Sequence, residues 1–257
     1  MRSVCKLMLA AALAVGAAGF AHTSLADVLV QVPDRTTLAG NDTVDWGQFG
    51  PGLTAVPNPS TAISAGGLSM TVSQQNNAEF LRVDEGTTAQ NWNGTFAPGE
   101  HLIWTHSLQF NVPGNGPIKV DFAAPVSAVG TRIQNDQFGS FDGTMQVTAF
   151  SPGGANLGSV FVASVNTGGS TNTAPFIGVR DLSGANIASI TLSSATGRPD
   201  VPTNNNDFAI DALSLDTTAG QNVGATPVPA SVWGGLALLI GLAGWRRFAR
   251  RSTDSIG

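Results

Sequence analysis

The sequence predicts an all-β fold, a single β-sandwich or barrel, for the stretch between residues 27 and 216. Short apolar stretches recur about every ten residues and are separated by Gly, Pro, Asn and Asp, the residues that favour turns. Within these stretches apolar and polar residues alternate, as at Ile118, Val120 and Phe122. No segment between residues 27 and 220 shows the periodicity of an amphipathic helix.

Eleven strands are predicted in chain order: 28–32, 68–73, 79–84, 101–112, 117–123, 127–134, 144–150, 157–165, 175–180, 187–194 and 207–215. In the last of these, "DFAIDALSL", the alternation slips between Ile210 and Leu213. That slip predicts a bulge or a strand that is buried on both faces.

The N-terminus is typical of a secretory signal peptide, residues 1–26. Arg2 and Lys6 precede an apolar run at 7–20, and "SLA" at 24–26 supplies the small residues of a cleavage site. Cleavage after Ala26 is predicted, which would also remove the single cysteine.

The predicted exported segment 27–230 holds sixteen acidic and six basic residues, so its net charge is near −10. An acidic surface repels phosphate backbones, and nucleic acid is therefore not expected as a partner. About 200 residues are enough for one β-domain with a substantial core.

The C-terminal part contains a predicted membrane helix. Residues 228–245 carry no charge, and at about 1.5 Å per residue they span roughly 27 Å, close to the thickness of a bilayer core. Trp233 and Trp245 stand near its two ends. A basic cluster that stays in the cytoplasm and stops transfer follows directly: Arg246, Arg247, Arg250 and Arg251.

The helix is preceded by Pro227, Val228, Pro229 and Ala230, and this order of proline motif, helix and arginine cluster resembles the PEP-CTERM sorting signal of Gram-negative bacteria. Val228 replaces the glutamate of the family's name-giving form. The two prolines force an extended backbone. The resemblance implies removal of the tail by exosortase, an integral membrane protease. A permanent membrane anchor is the alternative.

These features divide the chain into a signal peptide (1–26), an exported β-domain (27–216), a flexible linker (217–226) and the sorting signal (227–251). Within the sorting signal, the motif occupies 227–230, the helix 231–245 and the arginine cluster 246–251.

Several phrases in the β-domain, among them "DTVDWGQFGP" (42–51) and "DFAIDALSL" (207–215), resemble exported proteins with the same tail. The second half also resembles jelly-roll domains of the galactose-binding type. The resemblance implies an inner-membrane intermediate, then a location at the cell surface or outside the cell. It also implies a structural or adhesive role linked to exopolysaccharide.

Two groups of oxygen-bearing side chains raise the hypothesis of a structural calcium ion. The first is Asn135, Asp136 and Asp142, and the second centres on Asp207 and Asp211. Turns without an ion are the alternative, since Asn and Asp are common turn residues. No other cofactor is expected.

Trp92, in the "WNG" of a predicted loop, is the residue best placed to stack on a sugar, as in a carbohydrate-binding module. His101 and His106 are five apart on a predicted strand, so they face opposite sides and are not expected to share a metal. No nucleophile elbow, zinc-protease motif or phosphate-binding loop is present, and a non-catalytic protein is predicted. A carbohydrate-binding module and a secreted hydrolase are the alternatives.

Overall fold

The computed structural model describes residues 28–75, 79–86, 92–106, 116–136, 143–165, 172–196 and 207–218. The all-β prediction is confirmed for these residues, which form two antiparallel sheets. The predicted signal peptide, linker and sorting signal lie outside them. Among the residues described, no helix combines the length and apolar composition needed to cross a membrane.

Strands β1 to β15 are, in chain order, Leu29–Val32, Asp42–Val44, Thr54–Val56, Ser60–Ile63, Ser69–Gln74, Phe80–Asp84, His101–Trp104, Ile118–Val126, Ala128–Asn135, Gly143–Phe150, Asn156–Ala163, Phe176–Asp181, Ile187–Thr196, Phe208–Ile210 and Leu213–Asp216. A short helix, α1, spans Arg35–Leu38, and a 3-10 helix spans Trp46–Phe49. Asp34 caps α1 by accepting a hydrogen bond from the Thr37 N–H at 2.6 Å. One turn of helix is too short to show a periodicity in the sequence.

One sheet has nine strands and the other has six. The nine-stranded sheet follows the order β1, β12, β9, β14, β7, β6, β3, and β15 joins β9 to β2. The six-stranded sheet follows the order β11, β10, β13, β8, β5, β4. Their facing sides share one hydrophobic core, to which Val120, Val147 and Leu192 contribute from one sheet, and Ile133 and Val179 from the other.

The nine-stranded sheet is also covered on its outer side. Trp92 and Phe96 pack there against Leu81, Leu102 and other apolar side chains. We call this second cluster the outer core. A smaller group, in which Leu38 of α1 meets Val32 and Ala128, is buried nearby. The nine-stranded sheet therefore buries apolar side chains on both of its faces.

The slip in the last predicted strand corresponds to a break between β14 and β15, and all residues of these two strands are buried. Both strands pair with the same neighbour, β9, and the interruption falls at Asp211 and Ala212. Asp211 is completely buried. Its Oδ1 accepts from the Arg132 N–H at 2.8 Å, while its own N–H donates to the Arg132 carbonyl at 3.1 Å. The side chain thus stands in for a backbone carbonyl where the ladder is interrupted.

Three further groups converge on Asp211. The Arg35 guanidinium lies 2.6 Å from Oδ1, and the Thr131 hydroxyl donates to Oδ1 at 2.9 Å. The Trp46 indole N–H donates to the Asp211 carbonyl at 2.8 Å. Burial raises the pKa of Asp211 to about 6, although Arg35 opposes the shift. The residue joins α1, the 3-10 helix, β9 and the last two strands.

We predict that Asp211→Ala lowers the free energy of unfolding by about 3–5 kcal/mol, because it leaves Arg35 and a backbone N–H without their buried acceptor. The matched control is Asp121→Ala, which removes an exposed ion pair with Lys119 and should cost about 1 kcal/mol or less. Urea unfolding of the three proteins measures both values. Equal losses in the two variants would contradict the central role of Asp211.

Candidate functional site

Trp92 is a core residue, which corrects its interpretation as a ligand platform. Its side chain is 3% exposed, and its indole N–H donates to Gln134 Oε1 at 2.8 Å. Its ring makes edge-to-face contacts with Phe96 at 6.2 Å and with Trp104 at 5.2 Å between centroids. Because the ring fills the outer core, it is not available to stack on a sugar.

Trp92 is buried because the outward side of β6 and β7 is apolar and is shielded from water by another part of the chain. Leu81 and Leu102 point to that side, and Trp92 and Phe96 close over them. The segment 92–96, which we call the covering segment, lies over this side of the sheet. A Cβ on Gly94 would lie 2.1 Å from both Gln134 Oε1 and Trp92 Nε1, so only glycine fits at this point of the covering segment. Phe80 and Leu81, adjacent and both apolar in "FLRVD", are the sequence signal of a strand buried on two sides.

Trp104, His106, Asp136 and Asp207 form what we call the acidic–aromatic cluster. The rings of Trp104 and His106 are stacked, with centroids 4.2 Å apart and planes 17° apart. The Trp104 indole N–H donates to Asp207 Oδ1 at 2.6 Å. Trp104, His106 and Asp136 are half-buried, whereas Asp207 is 8% exposed.

Strand pairing brings these four residues together from three parts of the chain. β14 lies between β7 and β9, and Asp207 immediately precedes it. The Asp136 N–H donates to the Asp207 carbonyl at 2.9 Å, and the Thr105 N–H donates to the Phe208 carbonyl at 3.1 Å. Ends of β7 and β9 and the start of β14 therefore meet at one end of the sandwich.

Burial shapes the electrostatics of the cluster. It raises the pKa of Asp136 to about 6, helped by repulsion from Asp207 and opposed by His106. Burial lowers the pKa of His106, and Asp136 opposes that shift. At neutral pH the cluster thus presents the Asp136 carboxylate as a hydrogen-bond acceptor beside a neutral imidazole stacked on an indole.

The two groups of residues considered for calcium are rearranged in the structure: Asp136 and Asp207 lie together, and Asp211 lies apart from them. Asp136 of the first group adjoins Asp207 of the second, while Asn135 Nδ2 donates to Ser194 Oγ at 2.9 Å. Asp211 lies at the other end of β14, where Arg35 pairs with it, so it does not join Asp207. Asp142 is outside the described residues.

Within the described part of the chain, no three or more His, Cys, Asp or Glu side chains are grouped so as to hold a metal ion. Calcium binding stays a prediction, because Asp142 and the asparagines before Asp207 are not described. The sorting residues Pro227, Val228, Pro229 and Ala230 are also outside the described residues. So is the arginine cluster: Arg246, Arg247, Arg250 and Arg251.

His101 and His106 lie at opposite ends of β7 and serve different neighbours. His106 follows the strand, which ends at Trp104, earlier than the predicted residue 112. His101 Nδ1 lies 2.7 Å from Asp45 Oδ1 and its Nε2 lies 3.8 Å from Asp84 Oδ1. Sequence reasoning missed the stacking of Trp104 on His106. The signal was their spacing of two residues, which places two side chains on one face of an extended chain.

No family model and no curated protein matches the chain. Among solved structures it is similar to a DUF4465 family protein from Bacteroides caccae, at 12% identity and a TM-score of 0.34, covering 74% of this chain and 100% of that one. It is similar to a DUF4465 family protein from Bacteroides ovatus at 9% identity and a TM-score of 0.27, covering 74% and 98%. For the enzymatically active domain of tailspike protein 4 of bacteriophage CBA120, identity is 11%, the TM-score is 0.24, and coverage is 66% of this chain and 20% of that one. Likenesses this weak carry no conclusion about fold or function.

Glu85, which follows β6, holds the covering segment in place through hydrogen bonds. Its Oε1 accepts from the Gly94 N–H at 3.1 Å, and its backbone exchanges hydrogen bonds with Gly99 and Glu100. The residue is 7% exposed, and Oε2 has no hydrogen-bond partner among the residues described. Burial raises the pKa of Glu85 to about 7, helped by the charge of Glu100.

We predict that this carboxyl makes stability depend on pH. The pKa of Glu85 is about 7 in the folded protein and about 4.5 in the unfolded chain. Because the folded state binds the proton more tightly, ionisation of Glu85 destabilises the fold progressively as pH rises between these two values. Glu85→Gln mimics the protonated form. Relative to this variant, the wild type should lose about 1–3 kcal/mol of unfolding free energy between about pH 5 and pH 8. If the unfolding free energies of the wild type and Glu85→Gln, measured with urea, change in parallel with pH, the raised pKa of Glu85 is contradicted.

Proposed function

We propose that this chain is an exported, non-catalytic cell-surface protein whose β-domain adheres to extracellular polysaccharide. Residues 27–216 form the adhesive domain, with a jelly-roll-like sandwich topology. The tail 227–251 directs sorting, first as a membrane-spanning intermediate and then as a substrate of an exosortase-type protease. The mature protein would then reside at the cell surface or in the matrix.

The export part of the proposal is supported by the two ends of the sequence. The basic and apolar start with its small-residue cleavage site is typical of a secretory signal. The uncharged run 228–245, framed by prolines and arginines, is typical of a helix whose basic end stays in the cytoplasm. Neither a cytoplasmic enzyme nor a nucleic-acid-binding protein needs these segments.

The adhesive part rests on the acidic–aromatic cluster. A ring that stacks on an apolar sugar face, set beside acceptors for sugar hydroxyls, is the combination that a carbohydrate site requires. His106 supplies the ring, since one of its faces already lies on Trp104 and the other is directed away from it. Asp136, which is half-buried, supplies the acceptor, and Asp207 holds the Trp104 ring in place by accepting its indole N–H.

A secreted hydrolase is the second candidate, favoured by one observation. Asp136 and Asp207 are adjacent carboxyl groups, and the pKa of Asp136 is raised to about 6, as for a general acid in glycoside hydrolysis. Asp207, however, already accepts the indole N–H of Trp104 at 2.6 Å, which fits a positioned acceptor. Release of reducing ends from the bound polysaccharide, lost in Asp136→Asn, would establish the hydrolase instead.

We predict that the native protein, isolated from envelope and medium of its own host, begins near Asp27 and ends close to residues 227–231. Intact mass spectrometry measures both ends at once. A chain that ends at Gly257 and occurs only in the membrane fraction would make the tail a permanent anchor and contradict the sorting proposal.

We predict that His106→Ala weakens binding to polysaccharide purified from the host's matrix by up to about tenfold, because stacking on a ring contributes about 0.5–1.5 kcal/mol. The matched control is His101→Ala at the other end of β7, which should bind as the wild type does. Sedimentation of the proteins with the polysaccharide gives the affinities. Unchanged binding of His106→Ala would exclude the cluster as the contact site.

A further inference from the structure

The six-stranded sheet packs on the core with one face and turns the other outward. We call the outward side the open face. Directly paired residues point to the same side of a sheet. The registers therefore align one row across five strands, from Ser73 through Lys119, Thr191 and Thr148 to Ser159. Four of its five members carry a short polar hydroxyl, not an apolar or long charged side chain.

The neighbouring row carries three hydroxyl-bearing side chains among its five members, and one of them, Ser189, is buried. It runs from Thr61 through Thr71, Asp121 and Ser189 to Phe150. The charges of the two rows cancel, because the Lys119 ammonium pairs with the Asp121 carboxylate at 2.7 Å. This is unusual for a domain whose net charge is near −10.

Two of these hydroxyl groups are also held by hydrogen bonds within the sheet. The hydroxyls of Thr148 and Ser159 share a hydrogen bond at 2.8 Å, and Gln146 Nε2 donates to Thr148 Oγ1 at 3.2 Å. Groups that are already fixed lose less conformational entropy on binding. Six strands at about 4.8 Å spacing make the face roughly 24 Å wide.

The composition of the open face argues against a protein partner. Its most exposed apolar side chains, Ile63 and Phe161, are 56% and 51% exposed but lie on β4 and β11, the two opposite edges of the sheet. Protein interfaces need a contiguous apolar centre, which this arrangement does not give. Pairing along the β4 edge is blocked, because the Gln48 side chain bonds both the N–H and the carbonyl of Ile63.

We infer that the open face is a second docking surface and that its occupant is an extended, uncharged polysaccharide chain. The inference rests on the proposed function and adds the ligand class. Ser and Thr hydroxyls both donate and accept hydrogen bonds, as sugar hydroxyls do. A surface without net charge can bind an uncharged ligand without leaving a charge unpaired. The acidic–aromatic cluster belongs to the other sheet, so the two surfaces can hold one long polymer at two points and gain from multivalency.

The test uses the double variant Thr71→Lys/Thr191→Glu. Each new charge faces an opposite one, Asp121 or Lys119, so folding and net charge are preserved. The matched control is Thr43→Lys/Gln31→Glu, two exposed positions on strands of the nine-stranded sheet. Circular dichroism confirms that all the proteins fold.

The probe is polysaccharide from the host's matrix, separated on an anion exchanger into an unretained, uncharged fraction and a retained, anionic one. The wild type and the control should bind the uncharged fraction, and the double variant should bind it about tenfold more weakly, equivalent to about 1.4 kcal/mol. If the double variant binds as the wild type does while His106→Ala does not, the open face is excluded and the proposed function stands. Binding to the anionic fraction alone also overturns the inference. If the wild type binds neither fraction, the proposed function itself fails.

Discussion

The carboxylate of Asp211 lies where β14 gives way to β15, and most of the nine-stranded sheet depends on how it is held. A strand that breaks in a sheet interior leaves backbone groups without partners, which is costly when water cannot reach them. The Asp211 side chain supplies the missing partner, because its Oδ1 accepts a hydrogen bond from the Arg132 N–H, which the interrupted strand pairing leaves without a backbone acceptor. Arg35 compensates the buried charge and brings α1 with it, because its guanidinium also donates to the Ala212 carbonyl at 2.9 Å.

This break is connected to the proposed site through the position of β14. With the ladder restored at Asp211, β14 can bridge β7 and β9, and its first neighbour in the chain, Asp207, reaches Trp104 and Asp136. The same insertion leaves Ala209 on the outer side of the sheet, where Trp92 and Phe96 close over it. The cluster and the outer core are thus two consequences of one strand that is buried on both faces.

Much of the fold could be predicted because alternation is a local property. The strands from 117 to 194 were placed to within a few residues, since each has clear turns at its ends. The short β2, β3 and β4 were missed, because three or four residues are too few to establish a period. The slip in "DFAIDALSL" was visible, but not the identity of Asp211 as the residue that fills it.

The candidate site was harder to predict, because its parts are distant in sequence. Asp136 and Asp207 were assigned to separate groups, and only the pairing of β14 with β9 unites them. Trp92 looked like a loop aromatic because "WNG" is a turn-forming sequence, yet the loop folds over an apolar sheet surface. Whether a loop covers a sheet or faces solvent depends on tertiary contacts that no local pattern records.

The proposed function requires that polysaccharide holds this protein at the cell surface. The most direct measurement compares how much of the protein stays with intact host cells before and after their extracellular polysaccharide is removed. We predict that the protein is retained on untreated cells, moves to the medium when the polysaccharide is stripped, and returns when purified polysaccharide is added back. Equal retention on stripped and untreated cells would contradict it.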